Sequence, residues 1–224
     1  MLGNLLDDLA SRCTTSLELL VTLNVPEELP RDACALPFRV RVIENRHPKG
    51  FGANHNAAFR IARASIFCVI NPDIRIDLDP FPPLVAALAD RRVGVVAPLV
   101  VNGDGEVEDS ARRFPTFGSL ALKALGCARR LEYAIDAESL SPDWVAGMFM
   151  LFSRDTFAAV GGFDERYHLY YEDVDMCRRL RARGYDVRLV PTVRVVHLAQ
   201  RASRRRLQHL RWHAASALRY LLAR

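Results

Sequence analysis

Three carboxylates fall within four residues of this 224-residue chain in Tyr170-Tyr171-Glu172-Asp173-Val174-Asp175. Like charges this close repel unless a helix N-terminus, a cation or solvent relieves them. The cluster is therefore either a site that uses that relief, or helix capping with Asp175 paired to Arg178 or Arg179 one turn on. A second candidate is Asn71-Pro72-Asp73, which follows the apolar run Ile66–Ile70. An apolar strand ending in one carboxylate can hold Mg²⁺ or Mn²⁺ against a diphosphate, because such a cation needs one or two protein carboxylates plus phosphate oxygens. The alternative is a proline turn with Asp73 solvated. A third is the segment carrying Gly50 and Gly52, whose backbone N–H groups suit a phosphate. It lacks both the third glycine of a dinucleotide fingerprint and the Gly-Lys-Ser/Thr of a P-loop, so a plain glycine turn before a helix competes with it. His197, late in the chain, is a metal ligand or a structural histidine.

These groups need elements to place them. Leu2, Leu5, Leu6 and Leu9 recur at helical spacing, and Leu17–Leu23 and Arg39–Ile43 read as strands. Asn54–Ala64 returns to helical spacing, and Ile66–Ile70 reads as a strand buried on both faces. A helix near Phe81–Asp90, a strand at Val93–Ala97 and a hairpin-like segment tipped by Asn102-Gly103-Asp104-Gly105 follow. Residues 111–142 are harder to read, with a short helix expected at Leu120–Leu125. Trp144–Phe152 reads as one buried strand, and Ser153 caps a helix that runs to Val160 and stops at Gly161-Gly162. Asp173–Arg183 carries acids in its first turn, arginines in its last turns and Gly184 beyond, which makes it a helix. Asp186–Val196 supplies one or two strands. Strands alternating with helices imply an α/β fold with a mostly parallel sheet, whose ligands bind at the carboxyl ends of the strands. Asn24, the stretch Asn45–Asn56, and Asn71 with Asp73 fall at such ends.

Composition narrows the classes. Half the residues are hydrophobic and a quarter are charged, as in an ordinary globular domain. The longest nearly unbroken apolar runs, Val93–Val101 and Trp144–Phe152, are nine residues each, far from the roughly 20 that span a bilayer. Five scattered cysteines form no C-x-x-C pair, so reduced thiols in a cytoplasmic protein are expected. The net charge of +5 is local, because Arg201–Arg224 holds seven arginines and no acid, leaving 24 basic against 26 acidic residues elsewhere. The expected organisation is a body over 1–200 and a basic amphipathic helix over 201–224. On that helix Leu207, Leu210, Ala214, Ala217, Leu218 and Leu221 share a face, with Trp212 and Tyr220 at its margins.

In order along the chain, these pieces resemble a family 2 glycosyltransferase of the GT-A fold, and more narrowly the bacterial rhamnosyltransferase type of cell-surface polysaccharide synthesis. The match is carried by Glu44-Asn45-Arg46, Gly50-Phe51-Gly52-Ala53-Asn54-His55-Asn56, Val69-Ile70-Asn71-Pro72-Asp73, Trp144-Val145-Ala146-Gly147-Met148-Phe149-Met150, Gly161-Gly162-Phe163-Asp164-Glu165-Arg166, Tyr171 to Leu180, and His197. The resemblance implies an inverting transfer of a sugar, rhamnose for example, from a dTDP- or UDP-linked donor to a hydroxyl of a glycan or lipid-linked acceptor. It implies that Asp173 is the general base. Asn24, Asn45, Gly50, Phe51, Gly52, Asn54 and Asn71 would line the donor, and Trp144, Gly147, Glu172 and Asp175 would support the acceptor side. Asp73 and His197 would meet Mg²⁺ or Mn²⁺. Asn71 stands where the family has the first Asp of Asp-x-Asp, and Asn24 where an Asp ends the second strand.

The resemblance also implies a Val/Ile-rich strand ahead of the first helix, central in the sheet. Its lack would leave ladder hydrogen bonds unpaired and an apolar slot open. The expectation drawn from this is a start upstream of Met1, with a fragment or a substitute segment as alternatives. The basic helix suits an anionic membrane surface, here the inner face of the plasma membrane, or simply packs on the domain. A homodimer is compatible with the sequence. Two rival readings are an inactive scaffold of the same fold and a nucleic-acid-binding module using the arginine-rich tail. The near-neutral body disfavours the second.

Overall fold

The computed structural model describes residues 1–126, 131–135, 139–198 and 207–223. Its elements run α1 (Leu2–Arg12), β1 (Glu18–Leu23), β2 (Arg39–Glu44), α2 (Phe51–Ile61), β3 (Ile66–Ile70), β4 (Ile74–Arg75), α3 (Phe81–Leu88), β5 (Val93–Val101) and β6 (Ala111–Arg112). There follow α4 (Phe117–Ala124), β7 (Trp144–Val145), β8 (Phe149–Ser153), α5 (Arg154–Ala159), α6 (Glu172–Ala182), β9 (Asp186–His197) and α7 (Leu207–Leu222). A five-stranded sheet has the order β3-β8-β5-β9-β4. Strands β3, β5 and β9 run one way and β8 and β4 the other, so the sheet is mixed.

The sheet divides two cores. On β5, Val95, Ala97 and Leu99 face a cluster with α5, α6 and α7, while Val96 and Val100 face α1 and α3. Period-two alternation does this without any polar face, because β5 is buried throughout. Asp8 of α1 ties one outer layer to the sheet edge. Its carboxylate takes two bonds from Arg75, at 2.6 and 2.8 Å, and one from the Ile76 N–H at 3.0 Å.

Strand β1 pairs in parallel with β2 alone, and β3 pairs with β8 alone. No ladder joins β1 to β3. Instead Ser16–Leu20 and Ser65–Cys68 line one largely apolar cavity of about 290 Å³, floored by His55, Ala58 and Ala62 of α2. Burial there pushes the His55 imidazole down to about 4 and the Cys68 thiol up.

Two sequence expectations need correction. Trp144–Phe152 is not one strand: it breaks at Ala146-Gly147-Met148, where the Gly147 N–H turns to a side chain while the bonds on either side extend the β6–β7 and β3–β8 registers. The Ala146 N–H donates to Ser110 O, the Gly147 N–H donates to Asp173, and Met148 O accepts from the Asn71 N–H. The apolar face expected on the tail also divides. Tyr220 and Leu221 are buried against the domain, whereas Leu210, Leu218 and Leu222 are exposed. The arginines at 201, 204, 205, 206 and 224, and the expected boundary at 200/201, lie outside the described residues.

Candidate active site

Because β3, β5 and β9 are co-directional, their carboxyl ends and the amino end of β8 share one edge of the sheet. Asn71 and Asp73 follow β3, Gly147 and Met148 precede β8, and His197 closes β9. The structure thus gathers on that edge residues up to 126 positions apart in sequence.

Asp173 is the centre of the arrangement. It lies in the first turn of α6, half-buried in the wall of a cavity of about 230 Å³ lined by Arg112, Trp144, Tyr170, Tyr171 and Glu172, among others. One carboxylate oxygen accepts the Gly147 N–H at 2.9 Å and the other accepts the Val174 N–H at 2.8 Å. Each oxygen keeps a second lone pair for a proton. Desolvation raises the Asp173 carboxyl above its usual range, opposed by the Gly147 and Val174 N–H groups and by Arg112. Glu172 is also raised, by burial first and by the Asp173 charge second. Its Oε2 is buried with no hydrogen-bond partner among the described residues. Two carboxyls this close do not both ionise readily, so the pair as a whole keeps a proton to higher pH than a lone carboxyl would.

Gly147 is the position that makes this geometry fit. A Cβ there would sit 3.3 Å from the Phe51 ring and 3.6 Å from the Asp173 Cβ. The Phe51 ring, at the first turn of α2, thus packs beneath the backbone that orients Asp173. Trp144 is fixed by its own Nε1–H, which donates to Arg113 O at 2.9 Å, and the Arg112 guanidinium lies over its ring at 5.5 Å. Asp175 is not brought to the cavity. It is buried and bonded to Arg178 at 2.9 Å and Arg179 at 2.7 Å, so it staples α6. That pairing is the one the capping alternative describes.

The donor-side residues form a connected amide network. The Asn45 Nδ2 donates to Asn24 Oδ1 at 2.9 Å and to Asn54 Oδ1 at 2.8 Å. Asn24 in turn clamps the backbone of Lys49, accepting from its N–H and donating to its carbonyl. Gly50 and Gly52 have packing reasons of their own. A Cβ on Gly50 would meet His168 O at 2.5 Å, and one on Gly52 would meet the Phe163 Cβ at 2.8 Å. The Phe51 N–H is donated to His168 O at 2.9 Å. Asn71 holds the turn to Asp73 by accepting the Ile74 N–H on its carbonyl.

Asp73 and His197 meet, with Nε2 at 3.3 Å from Oδ2. Asp73 Oδ1 is buried with no partner among the described residues, so this acceptor has capacity to spare. The other ring nitrogen, Nδ1, is 2.8 Å from Glu108 Oε2. Asp73 first, and Glu108 with it, hold the imidazolium above its usual range against burial. A carboxylate on the far nitrogen is how metal-binding histidines are oriented. Among the described residues, no group of three or more His, Cys, Asp or Glu converges as a metal cage. Two protein ligands nonetheless fit a hard cation that keeps its waters and leans on phosphate oxygens. Glu108 escaped the sequence reading: it is one of several acids after the Asn102–Gly105 turn, and the return of that hairpin onto Val100 brings it to His197.

The fold and the comparisons with known proteins define a glycosyltransferase. Residues 38–219 match the profile of glycosyl transferase family 21, and the chain belongs to that family of glycosyltransferases. It is 29% identical over 186 residues to the rhamnosyltransferase WbbL of Escherichia coli, covering 77% of this chain and 70% of that protein. It is 34% identical over 171 residues to the N-acetylglucosaminyl-diphospho-decaprenol L-rhamnosyltransferase of Mycobacterium tuberculosis, covering 70% of this chain and 54% of that one. The chain thus spans about half the length of the second relative. Among solved structures, the mannosyltransferase PcManGT of Pyrobaculum calidifontis, in complex with GDP-Man and Mn²⁺, superposes with a TM-score of 0.60 at 21% identity. That superposition covers 97% of this chain and 59% of that one. S. aureus TarS gives 0.59 at 13% identity over 88% of this chain and 34% of that one. Both likenesses concern the fold. No described helix is long and apolar enough to cross a membrane.

The carboxyl pair has a consequence for stability. A buried acid whose pKa rises on folding binds more protons in the folded state, so stability falls as pH climbs above the ordinary 4.5 of a glutamate. Glu172→Gln removes that penalty. Urea unfolding across pH 5 to 9 is expected to show a smaller loss of stability for the variant than for the parent chain. Equal slopes would mean that the pair keeps no such proton.

Proposed function

We propose that the chain catalyses inverting transfer of a sugar, rhamnose in the first instance, from a dTDP- or UDP-linked donor to a hydroxyl of a glycan or lipid-linked acceptor. The observation that carries the proposal is the Asp173 carboxylate, fixed by two backbone N–H groups in the wall of the cavity. In a single displacement the acceptor oxygen forms its bond to the anomeric carbon as the bond to the diphosphate oxygen breaks. The bonding pair leaves with the nucleoside diphosphate, and the hydroxyl proton passes to Asp173. Desolvation suits that task, since it raises the basicity of the carboxylate while the N–H groups keep its orientation. Trp144 and the two tyrosines wall the acceptor side and exclude water.

On the donor side, Asn24, Asn45 and Asn54 present their shared amide network to the nucleotide, and Asn71 sets the turn that delivers Asp73. Gly50, Phe51 and Gly52 enter the reading by shaping that loop. Asp73 and His197 would hold Mg²⁺ or Mn²⁺, with Glu108 orienting the histidine. When bound, the cation supplies charge neutralisation at the departing diphosphate. The rhamnosyltransferase names of the relatives support the sugar, and the lipid-diphosphate name of one supports the acceptor class.

Asp173→Asn keeps the side-chain shape and removes the base. Transfer is expected to fall by about 10²–10⁴-fold, while calorimetry shows donor binding, with Mn²⁺ present, within a few-fold of the parent. Near-normal turnover in the variant would remove Asp173 from the role.

We further propose that α7 rests on an anionic membrane surface, placing a lipid-linked acceptor beside the cavity. Support comes from its exposed Leu210, Leu218 and Leu222 interleaved with Arg211 and Arg219. Leu218→Glu is expected to reduce co-sedimentation with vesicles containing phosphatidylglycerol. Undiminished binding would count against this face.

A further inference from the structure

Two features of the site remain unexplained by sugar transfer itself. Tyr170 and Tyr171 have φ of 71° and 69°, and they are the residues other than glycine in the left-handed region among the described residues. For bulky aromatic side chains that conformation is strained and persists only where the surroundings enforce it. Tyr171 is the N-cap of α6, two residues before Asp173, and its carbonyl accepts the Asp175 N–H at 2.9 Å. Its cap geometry therefore sets the direction in which the first turn, and Asp173 with it, leaves the loop.

The second feature is the inner face of α7. The His213 ring lies 5.3 Å from that of Tyr170 and 5.4 Å from that of Tyr171, and the Tyr220 ring lies 5.6 Å from that of Tyr171. The Tyr170 hydroxyl meets His209 Nδ1 at 3.1 Å. Ser216, buried at 4% exposure, donates its hydroxyl to Leu169 O at 3.0 Å. Tyr220 is itself buried, with the Arg178 guanidinium of α6 over its ring at 4.6 Å. Every residue from 168 to 171 thus touches α7, since His168 packs on Trp212 at 4.6 Å. The helix is separated from the tyrosines by more than 35 residues of chain, so nothing local imposes the contact.

We infer that α7 is a brace for the active site: its inner face, through His213 on both tyrosine rings and Tyr220 on Tyr171, holds Tyr170 and Tyr171 in the left-handed conformation and so positions Asp173. Tyr220 is then a positioning residue that acts through Tyr171. The same 168–171 segment receives the Phe51 N–H on its far side. The strained pair is therefore clamped between the donor-side loop and α7. A free segment would relax to negative φ, turning the start of α6 and drawing the Asp173 carboxylate off the Gly147 N–H.

The inference rests on Asp173 being the base, and its test separates the two claims. Full-length Tyr220→Ala and Tyr220→Phe are compared with the parent chain. The alanine variant is expected to lose 10-fold or more in kcat with donor KM little changed, and the phenylalanine variant to stay within about threefold, since the ring and not the hydroxyl makes the contact. Crystal structures of the same variants read φ at Tyr170 and Tyr171 without any turnover. Relaxation to negative φ in Tyr220→Ala, with retention in Tyr220→Phe, supports the brace even if the chain transfers no sugar. Left-handed tyrosines and an unmoved Asp173 in Tyr220→Ala would overturn it, as would parental kcat. Should Tyr220→Ala not fold, His213→Ala tests the same contact from an exposed position and is read by the same two outcomes.

Discussion

The site depends on one desolvated carboxylate keeping its direction. Asp173 sits beside a second acid, Glu172, in a wall made largely of aromatic rings, where an unanchored carboxylate would turn toward water or take up a proton. Two backbone N–H groups hold it. One comes from its own helix, and the other is available because the chain changes partner strands between β7 and β8. Ala146 still bonds along the β6–β7 register and Met148 along the β3–β8 register, and the Gly147 N–H between them is satisfied by Asp173.

Several other features follow from that break. Gly147 is needed because the Phe51 ring packs against it. Phe51 is placed by its own N–H bond to His168, and Gly50 is needed because the His168 backbone fills the space of a Cβ. His168 begins the segment that ends in the left-handed cap of α6. The Gly50–Gly52 loop, the strand break and α6 are thus one mechanical unit, closed on its outer side by α7. The Asp73–His197 pair lies on the same sheet edge but is built separately, from the ends of β3 and β9 and the hairpin bearing Glu108.

Much of this was legible in the sequence because the signals are local. The apolar run Ile66–Ile70, the Ser153 cap, whose hydroxyl accepts the Thr156 N–H, and the acid-to-arginine gradient of α6 each depend on neighbours a turn away. What was not legible depends on distant partners. Trp144–Phe152 reads as one strand because every side chain suits a buried strand; the reason to break lies 26 residues ahead, in Asp173. Glu108 has no motif around it. Nor does any rule of composition place two tyrosines at positive φ, since their own preference opposes it. For Asp175 the sequence left two readings open, and the structure shows the pairing with its i+3 and i+4 arginines. The tail showed an apolar face, but periodicity alone did not say which leucines turn inward.

The central claim is that the Gly147 N–H, exposed by the strand break, orients the base. The most direct measurement is kcat and donor affinity for Gly147→Ala, whose Cβ would press on the Phe51 ring and so displace the backbone that orients Asp173, without removing any titrating group. The account predicts a fall in kcat of at least tenfold with donor affinity within a few-fold of the parent. Unchanged kcat, or a loss confined to donor binding, would contradict it.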